Sequence, residues 1–143
     1  MSNQVFMNIS EAARRSGLSA KLIRHYEDIG LIRAPARSDS GYRLYNSRNV
    51  EQLSFVHHAR ELGFTTAQIS DLVRLRDNPA RASREVKAVA EQQLHMLEQR
   101  MAQLQAMKQL LTDMIHQCAG NDDPHCVILD TLASDEAQVS RHE

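Results

Sequence analysis

Between residues 9 and 30 the apolar positions recur every three or four residues, in two short bursts parted by Gly17. Ile9 to Ser16 reads as a first helix, with Ser10 as its predicted N-cap and Gly17 as its stop. Ser19 caps a second helix that runs through Ala20 to Glu27 and ends near Gly30. Two short helices joined by a tight glycine turn form a helix-turn-helix.

The period then changes. Leu31 to Arg37 and Tyr42 to Tyr45 read as extended arms on either side of the turn signal Ser38-Asp39-Ser40-Gly41. This predicts a small β-hairpin, the wing of a winged helix-turn-helix. Helical spacing returns from Ser47 to Leu62, with Val50, Leu53, Val56 and Leu62 as apolar positions, and stops at Gly63. Thr65 or Thr66 caps a further helix to about Arg76, and Asp77-Asn78-Pro79 breaks it.

From Ala82 to Cys118 there is neither Gly nor Pro. Ala90, Leu94, Leu97, Met101, Leu104, Lys108, Leu111, Ile115 and Cys118 alternate in steps of four and three. That is the seam of a coiled coil, with Lys108 as its one charged member. A helix of this length spans about 54 Å at about 1.5 Å per residue. Its narrow stripe calls for a partner helix; a long amphipathic helix folded against its own domain is the second reading. Val127 to Leu132 reads as a short helix, and residues 133–143 as a polar, flexible tail.

Composition sharpens this mainly helical picture. The net charge is -1, but it is unevenly spread. Residues 1–76 hold 11 Lys and Arg against 7 Asp and Glu, and the remainder holds 6 against 11. A basic head on an acidic remainder suits a polyanionic partner at one end. No apolar run is long enough to span a membrane, and MSNQVF lacks the regions of a signal peptide. The expected location is the cytoplasm, where thiols stay reduced. No nucleophile stands at motif spacing from a base and no glycine-rich phosphate loop is present, so no enzyme is expected.

The head offers Lys21, Arg24 and Tyr26 on the second helix and Arg37, Tyr42 and Arg43 on the wing. Arg and Lys neutralise phosphates, Tyr hydroxyls add neutral hydrogen bonds, and a helix fits the major groove of double-stranded DNA. Each charge alone is ordinary solvated surface; their meeting on a helix-turn-helix with a wing is what points to DNA.

The runs ISEAARRSGLSAKLIRHYEDIGLI and RSDSGYRLY, followed by the long seam, resemble the MerR family of transcriptional regulators. The resemblance covers residues 7–132. It implies a homodimer with winged heads at both ends of an antiparallel coiled coil. It also implies a promoter with an overlong spacer, whose distortion lets RNA polymerase engage both recognition elements. On the family pattern Arg24, Tyr26, Arg37, Tyr42 and Arg43 contact DNA, and Lys21 is a further candidate. The domains that follow are a winged DNA-binding head over 7–76, a dimerisation helix over 82–118, a metal-binding loop with a short helix over 118–132, and the tail.

Both cysteines, Cys118 and Cys126, bracket one polar loop of seven residues, AGNDDPH. Thiolates are soft ligands that suit copper(I). A structural zinc ion asks for four ligands. His116 lies two residues before Cys118, close to the opposite helix face, and His125 alone remains as a third donor. In antiparallel overlap Ser83 of one chain approaches Cys118 of the other. Relatives that sense divalent ions carry a third cysteine where this chain has Ser83. Two cysteines with that serine resemble the copper-efflux branch, whose members answer to copper(I), silver(I) or gold(I). Two other functions compete: a thiol redox regulator using a Cys118–Cys126 disulfide, and a copper buffer, which leaves the basic head unused. His57, His58, His95 and His142, and the methionines at 96, 101, 107 and 114, read as surface or packing residues.

Overall fold

The computed structural model describes residues 5–134. Six helices and one hairpin follow in the order α1 (Ile9–Ser16), α2 (Ala20–Asp28), β1 (Ala36–Arg37), β2 (Arg43–Leu44), α3 (Ser47–Glu61), α4 (Thr66–Asp77), α5 (Ser83–Gln117) and α6 (Val127–Ala133). Of the expected tail, residues 135–143 lie outside the described residues.

Helix starts follow their caps. Ser19 accepts from the Leu22 amide, and Thr65 forms a reciprocal capping box with Gln68. The first helix corrects the expectation: Asn8, not Ser10, is the cap, accepting from the Glu11 amide. Asn and Ser cap about equally well, so the sequence NIS offers two starts. A second box, Asn46 with Asn49, opens α3.

Gly17 ends α1 at φ 86, a left-handed backbone that L side chains avoid. A Cβ there would also meet the His57 ring at 2.9 Å. The tight turn between α1 and α2 is thus held from below by α3. The wing is shorter than its predicted arms, with two residues per strand and Ala36 opposite Leu44, Arg37 opposite Arg43. Its base is fastened by Tyr45, which exchanges two 2.8 Å backbone hydrogen bonds with Met7.

Contacts divide the chain into two compact units, with the division inside α5 after Gln93. The core of the first unit gathers Ala12, Leu18, Ile23, Tyr26, Leu31, Ile32, Tyr45, Leu53, Val56, Ala59, Ile69 and Val73. Leu62, expected on the apolar face of α3, is exposed at its C-terminal end. In the second unit Met114 is buried, whereas Leu94, Leu97, Met101, Leu104, Leu111 and Ile115 of the predicted seam are exposed. Among the described residues no helix is long and apolar enough to cross a membrane.

Candidate functional site

On the head, Lys21 and Arg24 lie three residues apart on the solvent face of α2, and both are exposed. Arg37 and Tyr42 are exposed on the wing, Tyr42 to 75%. Tyr26 is placed differently. It is 3% exposed and shares the core face of α2 with Ile23. Its ring belongs to packing.

Arg43 is also engaged within the protein. Its Nε donates to Glu27 Oε2 at 2.8 Å, and the Arg37 guanidinium lies 3.8 Å from Glu27 Oε1. The hydrogen bond to Glu27 raises the Arg43 pKa further, so its charge is permanent. Glu27 sits on α2, so one carboxylate ties both strands of the wing to the second helix. A further bond from Arg37 to the Gly41 carbonyl, 2.8 Å, braces the wing turn. In the sequence Glu27 is one acid in a polar run, and nothing there marks it or Tyr45 as a support of the wing. Burial pushes the Tyr45 hydroxyl pKa up, Glu27 pushes it the same way, and the charges of Arg43, Arg24 and Arg37 oppose this. Arg37 and Arg43 meet at Glu27, between the wing and α2.

In the second unit, Cys118 lies one residue beyond α5, and its amide still donates to Met114 and Ile115 carbonyls at 3.1 and 3.3 Å. Cys126 occupies the N-cap position of α6. The loop between them folds back on Asx turns, with Asp123 bonded to Asn121 and His125 bonded to Asp123 through their amides. The result is two free, partly buried thiols with sulfurs 3.9 Å apart. The Cys126 side chain makes no cap hydrogen bond; its pKa is lowered, first by the Leu129 amide, then by that of Ile128 and by the Cys118 thiol, while burial and, more weakly, the Asp130 charge oppose them. Helix N-terminal amides favour a thiolate. His125 Nδ1 lies 3.8 Å from Asp130, its side chain largely exposed.

Two metal–sulfur bonds of about 2.3 Å, the zinc–thiolate length, can bridge at most roughly 4.6 Å. The 3.9 Å separation fits within that reach. Among the described residues of one chain, no group of three or more His, Cys, Asp and Glu is disposed to hold a metal ion. Ser83, the first residue of α5, is exposed in an open hollow with Pro79, Arg81, Val86 and Lys87.

A helix-turn-helix whose wing is clamped to its second helix, carrying an exposed cationic face, is a DNA-binding head. Two family models cover this chain, "MerR HTH family regulatory protein" over residues 7–75 and "MerR, DNA binding" over 50–114. The chain belongs to the MerR family of DNA-binding transcriptional regulators. A Haemophilus influenzae protein described as a "Probable heavy metal-dependent transcriptional regulator" is 49% identical over 88% of this chain and 98% of its own length. The regulator HmrR of Rhizobium leguminosarum bv. viciae is 42% identical over 89% of this chain and 98% of its own. Among solved structures, the regulator PbrR691 of Ralstonia metallidurans in complex with lead(II) superposes with a TM-score of 0.78, at 30% identity, over 89% of this chain and 99% of that one.

Proposed function

We propose that this chain is a metal-responsive transcriptional regulator whose effector is a monovalent soft cation, copper(I), with silver(I) or gold(I) as chemical equivalents. Cys118 and Cys126 hold the ion, and its arrival is read at a promoter. The observation that carries the reading is the sulfur pair at 3.9 Å, with Cys126 at the N-cap position of α6. Two thiolates and one singly charged ion leave a net negative charge, which the positive end of that helix would soften. Cys118 and Cys126 would hold the ion, which would supply a positive charge between their thiolates. A divalent ion asks for more donors.

The heavy-metal dependence ascribed to the Haemophilus relative supports an ion as effector. The lead(II) complex of the structural neighbour concerns a divalent ion. We infer that the first residue of α5 makes the difference: Ser83 from the partner chain stands beside the sulfur pair and withholds a third thiolate. The functional molecule in this reading is a cytoplasmic homodimer. The exposed seam supports it, since Leu104 alone is 60% exposed in the single chain, and a stripe of such residues marks an interface. Two-fold heads match a roughly palindromic promoter, whose distortion admits RNA polymerase.

The 3.9 Å separation also favours a second reading, in which Cys118 and Cys126 close to a reversible disulfide. Transcription from an efflux-type promoter, with copper(I), silver(I), gold(I) and zinc(II) each buffered, separates the two. Induction by copper(I) under reducing conditions, lost in Cys118→Ser and in Cys126→Ser with promoter affinity retained, is the expected result. Ser83→Cys should extend induction to zinc(II). Induction by an oxidant alone, or by copper(I) in both serine variants, overturns the dithiolate reading.

A further inference from the structure

Along α5, between Ser83 and Asp113, one side chain is buried, and it is polar: Gln93, 6% exposed. Its Nε2 donates to the Leu62 carbonyl at 2.9 Å, a bond between residues 31 apart in sequence. Leu62 is the C-cap of α3, where carbonyls have no partner within the helix. Gln93 supplies one. The chain next turns through Gly63 at φ 81, and a Cβ there would come within 2.8 Å of Gln93 Nε2. The turn from α3 to α4 thus leaves room for the amide to reach the carbonyl. Nothing in the DNA-binding or metal-binding chemistry above uses this bond.

Gln93 is nearly buried, and the hydrogen bond it makes to the Leu62 carbonyl is itself partly buried. A Leu, Ile or Met at position 93 would fill the same space without need of a partner. What the amide adds is direction: it fixes α5 against the end of α3 at one point. The same α3 supports the helix-turn-helix from below, through His57 under Gly17. And α5 continues unbroken from Gln93 to Gln117, next to Cys118.

We propose that Gln93 is a positioning residue, a single-bond latch through which movement of the long helix is conveyed to the DNA-binding head. The proposal rests on the metal-responsive reading above. Breaking the latch leaves both binding activities intact and uncouples them. The effect is bounded by one neutral hydrogen bond, so the ratio of metal-saturated to metal-free transcription falls about 2- to 10-fold.

The test compares the wild-type chain with Gln93→Met, which keeps volume and helix preference and removes the donor, and with Gln93→Ala. Three quantities are measured on each: promoter affinity without metal, copper(I) affinity, and the transcription ratio at saturating buffered copper(I). Hydrogen exchange at the α3–α4 turn in the metal-free protein reads the contact itself. The proposal expects faster exchange at residues 62–64, both affinities within about twofold of wild type, and a reduced ratio in both variants. An unchanged ratio in Gln93→Met overturns it. So does a ratio that falls only in step with promoter affinity or thermal midpoint, which is what a purely structural role produces. A wild-type chain that copper(I) binds but does not induce removes the metal-responsive reading, and with it any signal for the latch to convey.

Discussion

Arg43 on the wing and Glu27 on the second helix are joined by a 2.8 Å charge-assisted hydrogen bond. The acid pairs with two cations, Arg43 and Arg37, that we propose bind DNA phosphate. A carboxylate there repels the duplex, so its value must lie in geometry. It holds Arg43 and, at longer range, Arg37 in one orientation. Charge-assisted bonds at partly buried sites are stronger than neutral ones, and the Glu27 side chain is only 9% exposed.

Glu27→Ala should therefore separate specific from non-specific binding. Affinity for the promoter should fall about 10-fold, in line with about 1.5 kcal/mol for a bond to a charged group. Affinity for an unrelated duplex should hold or rise, because a negative charge has gone. Titration of both duplexes at one salt concentration checks this. Equal losses on both would mean that Glu27 only stabilises the fold.

Arg24 and Lys21 carry the complementary prediction. Both are exposed on α2 with no acid paired to them among the salt bridges of the described residues. Arg24→Ala should weaken promoter binding and flatten its dependence on salt. A phosphate contact contributes a slope of about 0.9, so a two-fold dimer should lose about 2. A lowered affinity with an unchanged slope would make Arg24 a base reader or a structural residue instead.

Tyr45 presents a buried hydroxyl with no hydrogen-bond partner. Its aromatic ring, 1% exposed, fills the core at the base of the wing. Tyr45→Phe keeps the ring and removes the orphaned group. Stability in urea should stay level or rise by up to about 1 kcal/mol, since an unsatisfied buried polar atom costs free energy. A clear loss of stability would reveal a partner for the hydroxyl, such as bound water.

The Cys126 thiol has its pKa lowered in the folded chain, chiefly by the Leu129 amide. The sign follows from linkage: a depressed pKa favours the folded loop above the ordinary thiol pKa, and that contribution disappears as pH falls through the lowered value. Alkylation of metal-free protein should accordingly show Cys126 reacting with a midpoint below about 8.5, the value for a free thiol. Asp130→Asn should lower the midpoint further, because the Asp130 charge opposes the thiolate. A Cys126 midpoint at or above that of a free thiol would remove the helix amides as a source of thiolate character.

Much of this was legible in the sequence, and the reasons are local. Ser19, Gly17 and Thr65 announce helix ends by chemistry that acts within three residues. The seam of α5 repeats over many turns, so one lysine does not obscure it. The pair of cysteines is conspicuous because the chain has no others. What the sequence does not display depends on tertiary approach. Tyr26 reads as a hydroxyl for phosphate beside Lys21 and Arg24, yet its spacing from Ile23 turns its ring inward. Glu27 and Gln93 sit in runs of similar polar residues, and only the fold selects which acid meets the wing and which amide meets Leu62. Asn8 and Ser10 compete as caps on equal terms, and the backbone decides for Asn8.

X-ray absorption at the metal edge of the copper(I)-loaded dimer tests the central claim most directly. Two sulfur neighbours per ion, one ion per chain and no nitrogen or oxygen at bonding distance are the predicted result. A four-coordinate shell rich in nitrogen and oxygen, or a shell unchanged when Cys118 and Cys126 are both serine, would contradict it.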